Sequence, residues 1–304
     1  MTGARHVTFL LAHLSDPHIG PLPRIPFRRL LNKRLTGALN WHKARANIHN
    51  MDVLAALFAD VAAHAPHHVA LTGDLVNVGY EPEFPQALAM TRLLGDAADV
   101  SIVPGNHDAY IRESLPAMRR VFSPFMLGDS SREVTFPYLR RRGAVALIGV
   151  NSGVPTLPFF ATGRVGRAQR AKLGELLDET RRQGLFRVVM IHHPPLAAGA
   201  KFGRGLTDAK SLTRLLAEHG AELVLHGHNH RHSLAKLPAK GGDIPILGVA
   251  SASAVPGTPH HRAEYHLIEI MPETRRLHIQ RRGLLADGNG IGALSEMALT
   301  QGVS

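Results

Sequence analysis

The sequence predicts an α/β sandwich, with helices packed outside a sheet core. Three observations predict it. Short apolar runs recur at Val7 to Leu14, His68 to Leu71, Val100 to Val103, Val145 to Val150, Val188 to Ile191, Leu223 to Leu225 and Ile246 to Val249. Segments with helical spacing separate many of them, as strand–helix alternation requires. Finally, five of the runs end in Asp, Asn or His beside Gly or Pro, at the strand ends where open α/β sheets gather their function.

The elements follow in order. Asp52 to His64 repeats Val53, Leu54, Leu57, Phe58 and Val61 on one helix face. Phe84 to Leu94, Gln169 to Arg182 and Leu212 to His219 read similarly. After Leu223 the pattern turns to strands at Ser233 to Leu237, His266 to Ile270 and Leu277 to Arg281, which suggests a second, largely antiparallel sheet. Residues 284–304 carry Gly288, Gly290 and Gly292 and read as a loose tail. With no repeat or linker, residues 1–283 are expected to form one domain.

Composition narrows the chemistry. The 304 residues are 44% hydrophobic and 19% charged, which is ordinary for a globular chain. Cysteine is absent, so disulfides and thiolate metal sites are excluded and any metal rests on His, Asp, Glu or Asn. The first apolar run is too short to span a bilayer and lacks a small-residue cleavage site. A cytoplasmic location is therefore expected, with a peripheral place at the inner membrane face left open.

The formal charge is +11, and its distribution is uneven. Between Pro17 and Met51 there is no acidic residue, but seven basic ones: Arg24, Arg28, Arg29, Lys33, Arg34, Lys43 and Arg45. Such a block suits an anionic partner or a solvated face. Within this insert, about residues 21–47, Phe27, Leu30, Leu31, Ala38 and Leu39 keep helical spacing. That stripe can lie on an anionic membrane surface or pack on the protein's own fold, and packing is the preferred reading. Aromatics are too few in the block to stack bases, so no stable nucleic-acid complex is expected. The oligomeric state is left open.

The five polar strand ends are "SDPHIG" with Asp16 and His18, "TGDL" with Asp74, "PGNHD" with Asn106, His107 and Asp108, "HHPP" with His192 and His193, and "HGHNH" with His226, His228 and His230. Each alone reads as readily as a turn or surface residue. Together they form a donor set suited to borderline divalent ions such as Mn²⁺, Fe²⁺ or Zn²⁺. On an extended backbone, Asp16-x-His18 and His228-x-His230 would each point two side chains the same way.

These motifs, in this order from Asp16 to His230, resemble the calcineurin-like metallophosphoesterase superfamily. The resemblance implies a four-layer αββα sandwich, two central mixed sheets flanked by helices, around a dinuclear metal centre. It implies that Asp16, His18, Asp74 and His230 hold one metal and Asp74, Asn106, His192 and His228 the other, with Asp74 bridging. His107 would be the catalytic histidine facing the phosphate and the leaving oxygen, oriented by Asp108. His193, His226 and His232 would lie outside the ligand set.

Attack of an activated hydroxide on a small phosphorylated substrate is the implied reaction. Protein phosphatases of this kind carry Gly-Asp-x-Val-Asp-Arg-Gly, whereas this chain has Asn77 and Val78 at the Asp-Arg positions. It is closer in pattern to bacterial class III cyclic nucleotide phosphodiesterases. The expected function is thus hydrolysis of a cyclic nucleotide or similar small phosphodiester. A membrane-surface hydrolase of a phospholipid or lipid-A precursor pyrophosphate is the alternative, and a non-catalytic metal-binding scaffold is a third reading. Substrate choice is assigned to the loops Pro21 to Asn47, Val154 to Arg164 and Leu196 to Leu206.

Overall fold

The computed structural model describes residues 8–197, 202–255 and 262–300. Two six-stranded sheets face each other. In chain order the strands are β1 (Phe9–Leu14), β2 (His68–Leu71), β3 (Val100–Ile102), β4 (Tyr138–Arg142), β5 (Val145–Val150), β6 (Phe186–Ile191), β7 (Leu223–His226), β8 (Ser233–Leu237), β9 (Ile244–Gly248), β10 (Glu264–Met271), β11 (Arg276–Leu284) and β12 (Ile291–Thr300). The first sheet runs β12-β11-β10-β1-β2-β3, and the second runs β4-β5-β6-β7-β9-β8. Strands β1, β2 and β3 are parallel, as are β5, β6, β7 and β9. Both sheets are mixed, because β10 to β12, β4 and β8 pair antiparallel.

The helices are α1 (Phe27–Leu30), α2 (Arg34–Asn40), α3 (Ala46–Ile48), α4 (Met51–Ala63), α5 (Glu83–Thr91), α6 (Ser114–Phe122), α7 (Arg167–Arg182) and α8 (Ala209–His219). Asn50 starts α4 by accepting the N–H groups of Asp52 and Val53, which satisfies two donors the first turn leaves open.

The period of two in the strands explains the layering. In β6, Val188 and Met190 join the core between the sheets, while Val189 and Ile191 join the second core. There they meet Leu173 and Leu177 of α7 and Leu212 and Leu216 of α8. Leu54, Leu57, Phe58 and Val61 of α4 cover the first sheet. Strands buried on both faces read as continuous apolar runs, which is why β2, β5 and β6 stand out in the sequence.

Three expectations change. The strands after Leu223 do not make a separate sheet: β8 and β9 extend the second sheet, and β10 to β12 extend the first. Of the tail expected at residues 284–304, the described part is not loose either, since Ile291–Thr300 pair with β11 and set Met297 opposite Ile279 and Leu299 opposite Leu277. The register shift at Arg281 and Arg282 breaks the alternation that would mark the strand pair. Residues 301–304 and Val7 of the first expected strand lie outside the described residues.

The third change concerns the basic insert. Its stripe does not pack inward: Phe27, Leu31 and Leu39 are exposed, and Leu30 and Ala38 are only half-buried. The inward contacts come from the charged residues. Arg34 donates to the carbonyls of Val78 and Gly79, and Lys33 reaches Thr156 Oγ1 and the Phe160 carbonyl. Gly37 permits the close approach, since a Cβ there would lie 2.3 Å from the Tyr110 hydroxyl.

Candidate metal centre

The carboxyl ends of β1, β2 and β3 in one sheet and of β6 and β7 in the other meet along one edge of the sandwich, and the five motifs sit there. The backbone bends sharply to present them. Asp16, His18, Asp74, His228 and His230 all have positive φ, between 42° and 68°. The expected extended Asp-x-His geometry is therefore replaced by left-handed turns. Such conformations are costly for residues with a Cβ and cluster at functional sites. Gly227 answers a packing demand: a Cβ there would lie 1.8 Å from Ser15 Oγ and 2.3 Å from Asp16 Oδ2.

Two donor groups converge. In the first, His18 Nε2 and His230 Nε2 are 3.2 Å apart, and His230 Nε2 lies 3.1 Å from Asp16 Oδ1. In the second, Asn106 Oδ1 is 3.2 Å from His192 Nε2 and 2.9 Å from His228 Nδ1. Asp74 Oδ2 belongs to both, at 3.9 Å from His18 Nε2 and 3.4 Å from His192 Nε2.

Backbone carbonyls set the imidazole tautomers. A carbonyl only accepts, so His18 Nδ1 donates to Val76 O, His192 Nδ1 to Thr72 O and His228 Nε2 to Arg204 O. The opposite nitrogen of each ring keeps its lone pair toward the centre, the arrangement of metal-ligating histidines. Asp16 Oδ1 is buried, with only the His230 ring nitrogen, at 3.1 Å, beside it. A buried carboxylate oxygen left this way calls for a cation, and Asp16, His18, Asp74 and His230 form one group able to hold an ion. These residues fit two divalent ions in chemistry and in orientation.

Titration tells the same story. Burial disfavours charge on His192, but Asp74 and Asp16 outweigh it and raise the group to about 9. Burial likewise opposes ionisation of Asp16, yet His230 and His192 hold its carboxyl below the usual range. The two carboxylates thus favour positive charge at this point of the centre. His228 is lowered to about 3 by burial and then by His192.

His107 and Asp108 are adjacent in sequence but do different things. Asp108 makes no bond to His107. Its Oδ2 accepts the N–H groups of Asp74 and Gly105, and its Oδ1 those of Leu75 and Val76. The expectation that Asp108 orients His107 is corrected: four backbone donors consume the carboxylate, which clamps the β2 and β3 loops together. Asn77 O orients His107 instead, by accepting from Nδ1. Beside that nitrogen stands Arg45 Nη1, at 3.1 Å. Burial and then the Arg45 charge push His107 well below its ordinary value.

A sequence model of the family described as calcineurin-like phosphoesterase matches residues 9–232, more than half of the chain. The chain belongs to the calcineurin-like phosphoesterase family. The family is one of metal-dependent phosphoric ester hydrolases, and the His/Asp groups of this chain suit the family's dinuclear centre. No curated protein matches it.

Solved structures share the fold at low identity. A purple acid phosphatase from yellow lupin (Lupinus luteus) seeds aligns with a TM-score of 0.66 and 12% identity, over 97% of this chain and 54% of the lupin chain. A dimetal phosphatase from Danio rerio aligns with a TM-score of 0.63 and 13% identity, over 97% and 99% of the two chains. This calcineurin-like phosphoesterase therefore spans about half the length of the lupin enzyme.

The structure brings all seven candidate ligands together, with His107 beside them at 4.8 Å from His18 between ring centroids. His193 bonds Ser152 Oγ and Ala161 O, and it also falls with His192 and His228 in a group able to hold an ion. His226 bonds the Gly227 carbonyl, and His232 turns to His266. Sequence reasoning missed Arg45, His49 and Asn77 as site residues. His49 lies tilted against His18, with ring centroids 4.5 Å apart, and bonds Ser253. Arg45 and His49 lie outside the strand-end motifs, and Asn77 entered only as a departure from the protein-phosphatase pattern. Arg45 was visible only as one member of the basic block.

Proposed function

We propose that the chain hydrolyses a phosphodiester at a dinuclear centre held by Asp16, His18, Asp74, Asn106, His192, His228 and His230. One observation carries this reading: Asp74 Oδ2 faces His18 in one donor group and His192 in the other, at 3.9 and 3.4 Å. Bound there, two divalent ions supply a water of lowered pKa and positive charge against the phosphate oxygens.

The chain's own residues do the rest. Asp108 fixes the two loops that carry Asp74 and Asn106. Arg45 brings a permanent positive charge to the phosphate, which suits the single charge of a diester. Burial and the Arg45 charge disfavour a proton on His107. A bound phosphate adds negative charge beside it, offsets burial and Arg45, and lets it carry a proton to the departing alkoxide. Asn77 O keeps the ring in place.

The test is turnover by purified protein with Mn²⁺ on bis-p-nitrophenyl phosphate, p-nitrophenyl phosphate and cyclic AMP. The diesters should turn over faster than the monoester. A clear preference for the monoester would replace the diesterase reading with a phosphatase. No turnover of any ester, with two ions bound per chain, would leave a metal-binding scaffold.

A further inference from the structure

We infer that the insert between Pro21 and Ile48 seats the protein on an anionic lipid bilayer and turns the metal centre toward lipid-borne phosphoesters. The docking surface stands on its own geometry; the substrate class rests on the phosphoesterase reading above.

The insert has two faces of opposite kind. Lys33, Arg34, Gly37 and Arg45 face inward and make its contacts with the fold. Phe27, Leu31, Leu35 and Leu39 recur every four residues on the other side and are 72%, 67%, 42% and 52% exposed. A soluble fold gains nothing by leaving a row of large apolar side chains in water, and such a row marks an interaction surface. Two more join it from the next loop, Leu157 and Phe159, at 74% and 88% exposure. Lys33 ties that loop to the insert through Thr156 and Phe160. The same insert reaches the reaction centre through Arg45, at 3.1 Å from His107. The insert that carries the apolar row thus also supplies a residue of the site.

Charge selects the occupant. Arg24, Arg28, Arg29 and Lys43 are exposed on the insert, and there is no acidic residue between Pro17 and Met51. A second copy of this chain would bring like charge to like. A nucleic acid would meet the basic residues but leave the leucines and phenylalanines unburied. An anionic bilayer satisfies both, with headgroups for the arginines and the acyl boundary for the apolar row. A phosphoester with a hydrocarbon tail then reaches the centre without leaving the membrane.

Co-sedimentation with vesicles of phosphatidylcholine and phosphatidylglycerol, against phosphatidylcholine alone, tests the surface. The full chain should pellet with the anionic vesicles. Leu31→Asp with Leu39→Asp changes only exposed positions, so melting temperature and turnover of bis-p-nitrophenyl phosphate should hold. Vesicle binding should fall about tenfold or more. Arg28→Glu with Arg29→Glu should fall similarly without loss of folding. For the substrate class, the probe is hexadecyl p-nitrophenyl phosphate carried in the same vesicles. The leucine variant should lose its turnover while keeping that of the soluble diester.

Wild-type protein left in the supernatant at low salt overturns the docking surface. So does undiminished binding by the leucine variant, or complete competition by short DNA. Equal turnover of both diesters by the leucine variant overturns the lipid-borne substrate alone. Failure of wild-type protein to hydrolyse either diester condemns the diesterase reading, with the vesicle result still deciding the surface.

Discussion

The Asp108 carboxylate accepts the backbone N–H of Asp74 at 2.8 Å, and with it those of Gly105, Leu75 and Val76. It therefore acts on the metal centre through the backbone of a ligand. Asp108→Ala should strand four donors in a buried site, at about 1–3 kcal/mol each. The melting temperature should drop sharply and bound metal with it. A variant with unchanged melting temperature and metal content, but slow turnover, would return Asp108 to a role on His107.

Asp74 is the residue both donor groups share. Asp74→Ala should lose both ions, not one, because Oδ2 faces His18 on one side and His192 on the other. It also removes the acceptor of the His107 N–H. Metal analysis after dialysis reads the outcome directly. Two tightly held ions in this variant would refute the bridging position.

His107 and Arg45 should separate by their pH profiles. His107→Ala should keep its metals and slow alkyl diesters by about 10²–10⁴. Nitrophenyl esters should suffer less, since their leaving group needs no proton. Arg45→Met should lower kcat/KM by about 10–100-fold through a lost charged contact. After burial, Arg45 is the largest influence holding His107 low. Its removal should therefore move the His107-dependent limb to higher pH. An unmoved limb would mean that Arg45 does not act on the imidazole.

The parts of this molecule legible in its sequence are those that local pattern determines. Strands buried on both faces, such as β5 and β6, are continuous apolar runs, and the metal donors follow them directly. What escaped depends on distant chain. Strand β4 carries Arg140, Arg141 and Arg142 and so is not among the apolar runs. Yet Arg140 is buried because its guanidinium donates to the carbonyls of Leu127, Ala97, Val100 and Pro124. The insert inverted the usual rule for the same reason: Lys33 and Arg34 found acceptors inside, and the leucines were left outside. Asp108 beside His107 suggested a pair, but hydrogen bonding to four amides cannot be read from adjacency.

A final outcome concerns acid stability, and His68 isolates it from the metal centre. His68 is fully buried in β2, with Nε2 on Ser101 Oγ at 2.7 Å and Nδ1 without a partner. Burial, then Arg142 and Arg140, lowers it from 6.5 to about 3. The sign follows from which state takes the proton. The unfolded chain protonates His68 below about 6.5, and the folded chain refuses until about 3. The stabilisation is complete above 6.5 and is lost as pH falls through that window, at about 1.4 kcal/mol per unit. His68→Leu removes the titration at the cost of the Ser101 contact. Urea unfolding of both proteins at pH 7.5 and pH 5.0 reads the difference. Relative to wild type, the variant should gain about 2 kcal/mol between the two conditions, since about 1.5 units lie below the unfolded value. An unchanged difference would mean that His68 takes up its proton as readily in the fold as out of it.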